Sequence, residues 1–361
     1  MRAGTAWDVI LHLPQADDGL PLEAEIRPMR AASRQLAEVA KISRPDFFIV
    51  GAFKSGSTAL YDQLRRHPQI FMPFHKEPLY FGDDLTRRYG RMTLDDYMRL
   101  FKDAKPQQRI GEASTWYLYS TSAAREIKDF SPDAQILVVL RNPVDVMYAQ
   151  HNQLIFNVIE DIPDFAEALA AEPDRRAGKR IPVGPINVEN LFYRHSVHFA
   201  EQLERYFEVF GRDRVHVMLT DDMKRDGAGV VRGALEFLGV DPTLAAAPPN
   251  SNENRRVRSP LVQRLIFAPK LLLPLAPFLR RFPLVRSVRT KMLEMNSEAK
   301  PRPPMDPVLR RQLIDEFTPE IERLGKLIDR DLSSWTVLPP ASAADETRKS
   351  DPAKETAATS A

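Results

Sequence analysis

Two short apolar runs, Phe47-Phe48-Ile49-Val50 and Ile136-Leu137-Val138-Val139-Leu140, each give way to a polar loop and then to apolar residues at helical spacing. After the first, Leu60, Tyr61 and Leu64 recur with a helical period until His67-Pro68 stops them. After the second, Pro143 suits the first turn of a helix carrying Val144, Met147 and Tyr148. Runs that are apolar throughout belong to strands covered on both faces, and strands that alternate with helices pair in parallel. A third strand, Val215–Leu219, follows an amphipathic helix, Phe199–Phe210, that ends at Gly211. A further helix over 230–238 stops at Gly239. The pattern predicts an α/β fold of the P-loop-like, three-layer α/β/α type, with a central parallel sheet and additional C-terminal helices.

Within 361 residues this amounts to one large domain with additions. Residues 1–44 read as an N-terminal extension, 45–335 as the domain, and 336–361, rich in Pro, Ala, Ser and Thr, as a disordered tail. Inside the domain, 255–335 is expected to form a basic and helical C-terminal part. Its first portion, 255–302, holds twelve Lys/Arg against Glu294 and Glu298. Its second, 306–331, carries an apolar stripe through Leu309, Leu313, Phe317, Ile321, Leu324 and Ile328. The basic portion reads as a solvated helical cap, as a landing surface for an anionic polysaccharide, or as an interfacial patch for peripheral membrane contact. Overall charge is only +2, which gives no reason to expect a nucleic-acid partner. The chain has no cysteine, so disulfides, thiolate metal sites and Cys nucleophiles are excluded. Its N-terminus lacks a basic start followed by an apolar stretch, and the apolar run 271–279 contains two prolines. A spanning helix needs about 20 apolar residues. A soluble, cytoplasmic protein is expected.

Residues 51–58 read Gly-Ala-Phe-Lys-Ser-Gly-Ser-Thr between the first strand and its helix. They fall almost in register with the Walker A loop Gly-x-x-x-x-Gly-Lys-Ser/Thr. Ser57, however, takes the place of the phosphate lysine, and Lys54 stands three residues earlier. Backbone N–H groups around Ser55, Gly56, Ser57 and Thr58, at the positive end of a helix dipole, still offer an anion site. A nucleotide hydrolase of this type also carries magnesium on a carboxylate after a later strand, whereas the strand over 136–140 runs straight into Arg141. The residues therefore suit a phosphate-like group held by Lys54 and backbone amides, without a metal. Taken alone, the loop is also compatible with an ordinary Gly/Ser turn.

The loop does not stand alone. Lys54-Ser55-Gly56-Ser57-Thr58 after one apolar strand, with Leu140-Arg141-Asn142-Pro143 after another, resembles the sulfotransferases that use 3′-phosphoadenosine 5′-phosphosulfate (PAPS). His75-Lys76-Glu77-Pro78-Leu79-Tyr80-Phe81 is similar to that family's Lys-Glu-Pro-His-Tyr-Phe segment. Gly111-Glu112-Ala113-Ser114-Thr115-Trp116-Tyr117 is similar to its Gly-Glu-x-Thr-Pro-x-Tyr segment. Phe237-Leu238-Gly239 and the closing Asp331-Leu332-Ser333-Ser334-Trp335 extend the resemblance over residues 46–335, nearer to heparan-type and bacterial carbohydrate sulfotransferases than to the cytosolic steroid and phenol enzymes.

The resemblance implies roles. Ser55, Gly56, Ser57 and Thr58 would grip the 5′-phosphosulfate, and Lys54 would neutralise the bridging oxygen as the sulfuryl group leaves. Arg141 would hold the 3′-phosphate, to which a guanidinium fork is suited. Glu77 would take the acceptor proton, with Glu112 as the rival base. Arg255 and Arg256 are the nearest candidates for a basic loop that completes the nucleotide site. PAPS is the implied co-substrate, with no metal, and the acceptor is a hydroxyl or amine on a carbohydrate, a glycolipid or a small molecule. The chain departs from the family at Ala149, where a serine usually binds the 3′-phosphate, and at Leu79, Thr115 and Ala113. Ala149 leaves open a non-catalytic nucleotide-binding relative. A kinase-like phosphoryl transferase is disfavoured by the displaced lysine and the lack of an acidic magnesium ligand.

Overall fold

The structure, a computed structural model, describes residues 44–86, 90–182, 187–245 and 303–338, with short stretches between 247 and 299. Of the expected N-terminal extension only Arg44 falls among them, and of the expected tail only Thr336, Val337 and Leu338. Five parallel strands form the central sheet: β1, Phe47–Gly51; β2, Ile70–Phe71; β3, Arg109–Ala113; β4, Gln135–Leu140; and β5, Val215–Leu219. Their spatial order is β2-β3-β1-β4-β5, so β1 lies at the centre. Phe48 of β1 stands in register with Glu112 of β3 on one side and Ile136 of β4 on the other.

Strand β1 is buried along its whole length, and β4 is buried from Ile136 onward, as their unbroken apolar sequences predict. Strand β3 gives no such signal, because Arg-Ile-Gly-Glu-Ala is neither an apolar run nor an alternating one. It is held in place by contacts distant in sequence. A β-carbon at Gly111 would collide with the Phe47 ring and the Met72 sulfur, so only glycine lets β3 approach β1.

Side chains of the strands alternate between two apolar layers. Phe47, Ile49, Leu137 and Val139 pack with α1, Ser57–Leu64, on one face of the sheet. Phe48, Val50, Ile136, Val138 and Leu140 pack on the other, against α2, Ala123–Phe130; α3, Pro143–Phe156; and α4, Phe199–Phe210. Helix α5, Gly227–Leu238, joins α1, and helix α6, Pro307–Leu327, joins the α3–α4 layer. Helix α6 begins at its N-cap Asp306, which accepts from the Leu309 amide, and it buries Leu313, Phe317, Ile321 and Leu324 of the expected stripe. Each such side chain contributes about 1.5–3 kcal/mol on burial. This is the three-layer α/β/α arrangement.

The basic portion differs from a purely helical cap. Its described residues include a strand, β6, Arg255–Val257, paired antiparallel with β7, Ser297–Ala299. Residues 263–290, which hold six of the twelve Lys/Arg of the expected patch, lie outside the described residues.

The connections locate the functional edge. The loop after β1 leads to α1 on one face, whereas the loop after β4 leads to α3 on the opposite face. Adjacent parallel strands whose connections part in this way leave a crevice beyond their carboxyl ends. Lys54 lies on one lip of it and Arg141 on the other.

Candidate active site

The phosphate-type loop is shaped by its backbone. Gly56 is left-handed, with φ 102°, and turns the chain into α1 without offering a side-chain cap. The first-turn amides of α1 are thus not covered by a capping side chain, the arrangement that receives anions at helix N-termini. Lys54 also adopts a left-handed conformation, φ 57°, which costs a residue with a β-carbon about 1–2 kcal/mol. The loop is pinned from below. The Ala52 amide donates to the Val139 carbonyl at 2.7 Å, and the Thr220 hydroxyl lies 2.5 Å from the Ser55 carbonyl and 3.0 Å from that of Leu140. The Lys54 ammonium donates to Gln153 Oε1 at 3.2 Å. Ser55 is fully buried with its hydroxyl toward the Phe53 carbonyl, Ser57 is nearly buried, and Thr58 is exposed. The Ser55 hydroxyl is thus turned inward, and the Ser55 amide donates to the Ala52 carbonyl at 3.4 Å.

Arg141 leaves β4 and reaches the same loop, donating from Nη1 to the Lys54 carbonyl at 3.4 Å. Its Nη2 lies 3.5 Å from Asp145 Oδ2, and its buried Nε has no acceptor among the described residues. Asn142 caps α3 by accepting from the Val144 amide at 2.9 Å, followed by Pro143 in the first turn. From there Asp145, Ala149 and Gln153 recur every four residues, along one side of α3, between Arg141 and the Lys54 ammonium. Arg310 of α6 donates to the other Asp145 oxygen at 2.8 Å. The closing Trp335 is buried and acts as a brace. Its carbonyl accepts from Asn142 at 3.0 Å, and its indole N–H donates to Asp221 at 2.7 Å, tying the N-cap of α3 to the short helix 220–225 that follows β5.

Glu77 stands on the third side. Its backbone is left-handed, φ 60°, and its amide donates to the Ala113 carbonyl at 2.9 Å. The Thr115 amide donates to Glu77 Oε2 at 2.8 Å, and the Thr115 hydroxyl to Oε1 at 3.0 Å. Lys76 pairs with the same Oε1 at 2.6 Å, and the carboxylate remains 32% exposed. The two segments that looked independent in the sequence are one unit. The Leu79 amide donates to the Ser114 hydroxyl, and the amides of Tyr80 and Phe81 donate to the Tyr117 hydroxyl, which in turn donates to Glu112. Residues 113–117 thus hold the backbone and the carboxylate of 77–81 in place. Trp116 stacks on Phe53 at 4.6 Å, which fixes this unit beside the Lys54 loop.

Glu112, the rival base, is fully buried beneath that unit and receives the Tyr97 hydroxyl at 2.9 Å and the Tyr117 hydroxyl at 3.1 Å. Burial pushes its carboxyl up to about 7, against the opposing hydrogen bonds of Ser114, Tyr97 and Tyr117, while the nearby Glu77 charge adds to the rise. Burial also pushes both tyrosines well above their usual range, so they remain donors. No acceptor molecule reaches a carboxylate so enclosed. Arg255 and Arg256 fall in β6, beside α3. Asp145, Gln153, Thr220 and Arg310 were not singled out in the sequence. Gln153 and Asp145 had a signal, the four-residue spacing from Arg141; Thr220 and Arg310 had none.

A sulfotransferase domain is recognised over residues 44–267. The chain belongs to the sulfotransferase family. It is 28% identical over 200 residues to mouse heparan sulfate glucosamine 3-O-sulfotransferase 6, covering 54% of this chain and 52% of that one. It is 32% identical over 152 residues to human carbohydrate sulfotransferase 15, covering 30% of this chain and 27% of that one. The chain thus spans about half the length, or less, of these curated relatives. Among solved structures, the sulfotransferase from Alicyclobacillus acidocaldarius matches 82% of this chain and all of its own, with 31% identity and a TM-score of 0.61. The expected fold class and family are thereby both met.

Proposed function

We propose that this sulfotransferase moves the sulfuryl group from PAPS to a hydroxyl or amine of a carbohydrate or glycolipid acceptor. The observation that carries the reading is that the Arg141 guanidinium reaches the Lys54 carbonyl while the segment that aims Glu77 stacks through Trp116 on Phe53, beside Lys54, with Lys54 and Glu77 both in left-handed backbone. Residues held in such conformations concentrate where function over-determines them. The site also fits a doubly anionic nucleotide. Amides of α1 face one anion position, and the Arg141 guanidinium keeps a buried donor without an acceptor among the described residues.

When bound, PAPS supplies the sulfuryl group and a phosphate as leaving group. On this reading Glu77, aimed by Thr115, takes the proton of the acceptor hydroxyl as its oxygen bonds to sulfur. Lys54, positioned by Gln153, neutralises the charge that develops on the phosphate oxygen as its bond to sulfur breaks. Arg141 and the α1 amides hold the two anionic ends of the nucleotide, which sets the line of attack. The carbohydrate acceptor rests on relatives whose names specify heparan sulfate glucosamine or carbohydrate.

Calorimetry with 3′-phosphoadenosine 5′-phosphate and with ATP–Mg²⁺ tests the donor. Binding of the first alone is expected; binding of ATP alone would turn the reading to a kinase, and binding of neither to a non-catalytic relative. For the acceptor, incubation of PAPS with polysaccharide and glycolipid fractions should add ~80 daltons, the mass of one sulfuryl group, to a sugar-containing species. Transfer only to small non-sugar metabolites would overturn that part.

A further inference from the structure

We propose that Arg310 is a second 3′-phosphate-binding and specificity-determining residue, working with Arg141 across Asp145. The inference rests on the PAPS reading above and assigns a residue of α6, far outside the loop segments, to the nucleotide site. Arg141 and Arg310 bind opposite oxygens of the same carboxylate, at 3.5 and 2.8 Å. Asp145 alone would neutralise Arg141, and a neutral pair is a poor receptor for a doubly charged phosphate. Arg310 restores one net positive charge to the group. Both guanidinia retain a buried Nε without an acceptor among the described residues. The hydrogen-bonding capacity of each is therefore left incomplete by its neighbours, although both side chains are only partly exposed, 24% for Arg141 and 17% for Arg310.

The neighbouring position on α3 sharpens the argument. One turn beyond Asp145 the same side of the helix carries Ala149, which is buried and offers no donor. Among the described residues, a phosphate lodged against Arg141 meets a second guanidinium across Asp145, at Arg310. Two planar forks spaced by one carboxylate can each present paired N–H groups to a tetrahedral dianion. Asp145 then acts as a spacer that keeps the two like charges together before the ligand arrives.

The test measures affinity of the full chain for 3′-phosphoadenosine 5′-phosphate and for adenosine 5′-phosphate, which lacks the 3′-group. The unaltered protein should prefer the first. Arg310→Met, which keeps the aliphatic stem, should weaken the first by roughly tenfold or more and the second by less than about twofold. Arg310→Lys, which keeps charge without the fork, should fall between. Equal losses for the two nucleotides in Arg310→Met, in protein whose thermal melting is unchanged, would overturn the inference and leave Arg310 as a packing residue between α3 and α6. Absence of any 3′-phosphate preference in the unaltered protein would overturn the PAPS reading itself, and this inference with it.

Discussion

Replacement of Glu112 by Gln should change how stability depends on pH. In the folded chain burial raises the Glu112 carboxyl from 4.5 to about 7, whereas in the unfolded chain it titrates near its ordinary value. Between those values the folded state holds a proton that the unfolded state has released. Stability therefore falls as pH rises through this window, and the full loss is reached above the upper value. At about 1.4 kcal/mol per pH unit the loss is on the order of 3 kcal/mol. Gln cannot ionise and should not suffer it. The exchange of a carboxylate acceptor for an amide, facing the hydroxyls of Tyr97 and Tyr117, adds an offset that is the same at every pH, so the slope carries the test. Urea unfolding followed by tryptophan fluorescence, from about pH 5 to about pH 8, should show Glu112→Gln gaining on the unaltered protein by on the order of 3 kcal/mol. Parallel curves, with a difference flat to within ~0.5 kcal/mol, would mean that Glu112 is solvated or titrates normally and that the buried anchor beneath residues 77–81 has been misread.

Other outcomes follow from the site geometry. Lys54→Ala should leave the melting temperature unchanged and lower transfer by roughly 10²–10³, the effect of removing one electrostatic stabiliser; transfer at the original rate would dismiss the loop assignment. Glu77→Gln should lower turnover by about 10²–10⁴ while nucleotide affinity stays within about twofold, because the anion-binding groups lie elsewhere. A large loss of nucleotide affinity in that variant would show that Glu77 organises the loop instead of accepting the proton. Arg141→Ala should weaken binding of 3′-phosphoadenosine 5′-phosphate by roughly tenfold or more and spare adenosine 5′-phosphate, as read by calorimetry; equal losses would make Arg141 structural.

Much of the architecture was legible because the relevant signals are local. Apolar runs buried on both faces announced β1 and β4, the mostly apolar run 215–219 announced the less buried β5, and Pro143, Gly211 and Gly239 marked helix ends that the structure reproduces. Strands β2 and β3 were not legible as strands. The first is two residues long, and the second owes its place to Gly111 fitting under Phe47, a contact between residues far apart in sequence. The same limit governed the site. Lys54, Arg141 and Glu77 could be singled out from motifs, but nothing local says that Thr115 aims Glu77 or that Tyr117 gathers the amides of Tyr80 and Phe81.

The sequence by itself determined the parallel α/β core and the Lys54-bearing loop between β1 and α1, because strand burial and helix initiation are properties of short segments. Only the tertiary structure decided which carboxylate is open and which enclosed. Glu77 and Glu112 are equally polar on paper, yet the first stands one-third exposed on the rim and the second lies within the sheet layer under two tyrosines. Tertiary structure alone also brought Arg310 from the last long helix to Asp145, 165 residues away. Solvation and charge pairing depend on what the rest of the chain places nearby, and the physical chemistry of a carboxylate or a guanidinium is set by that environment.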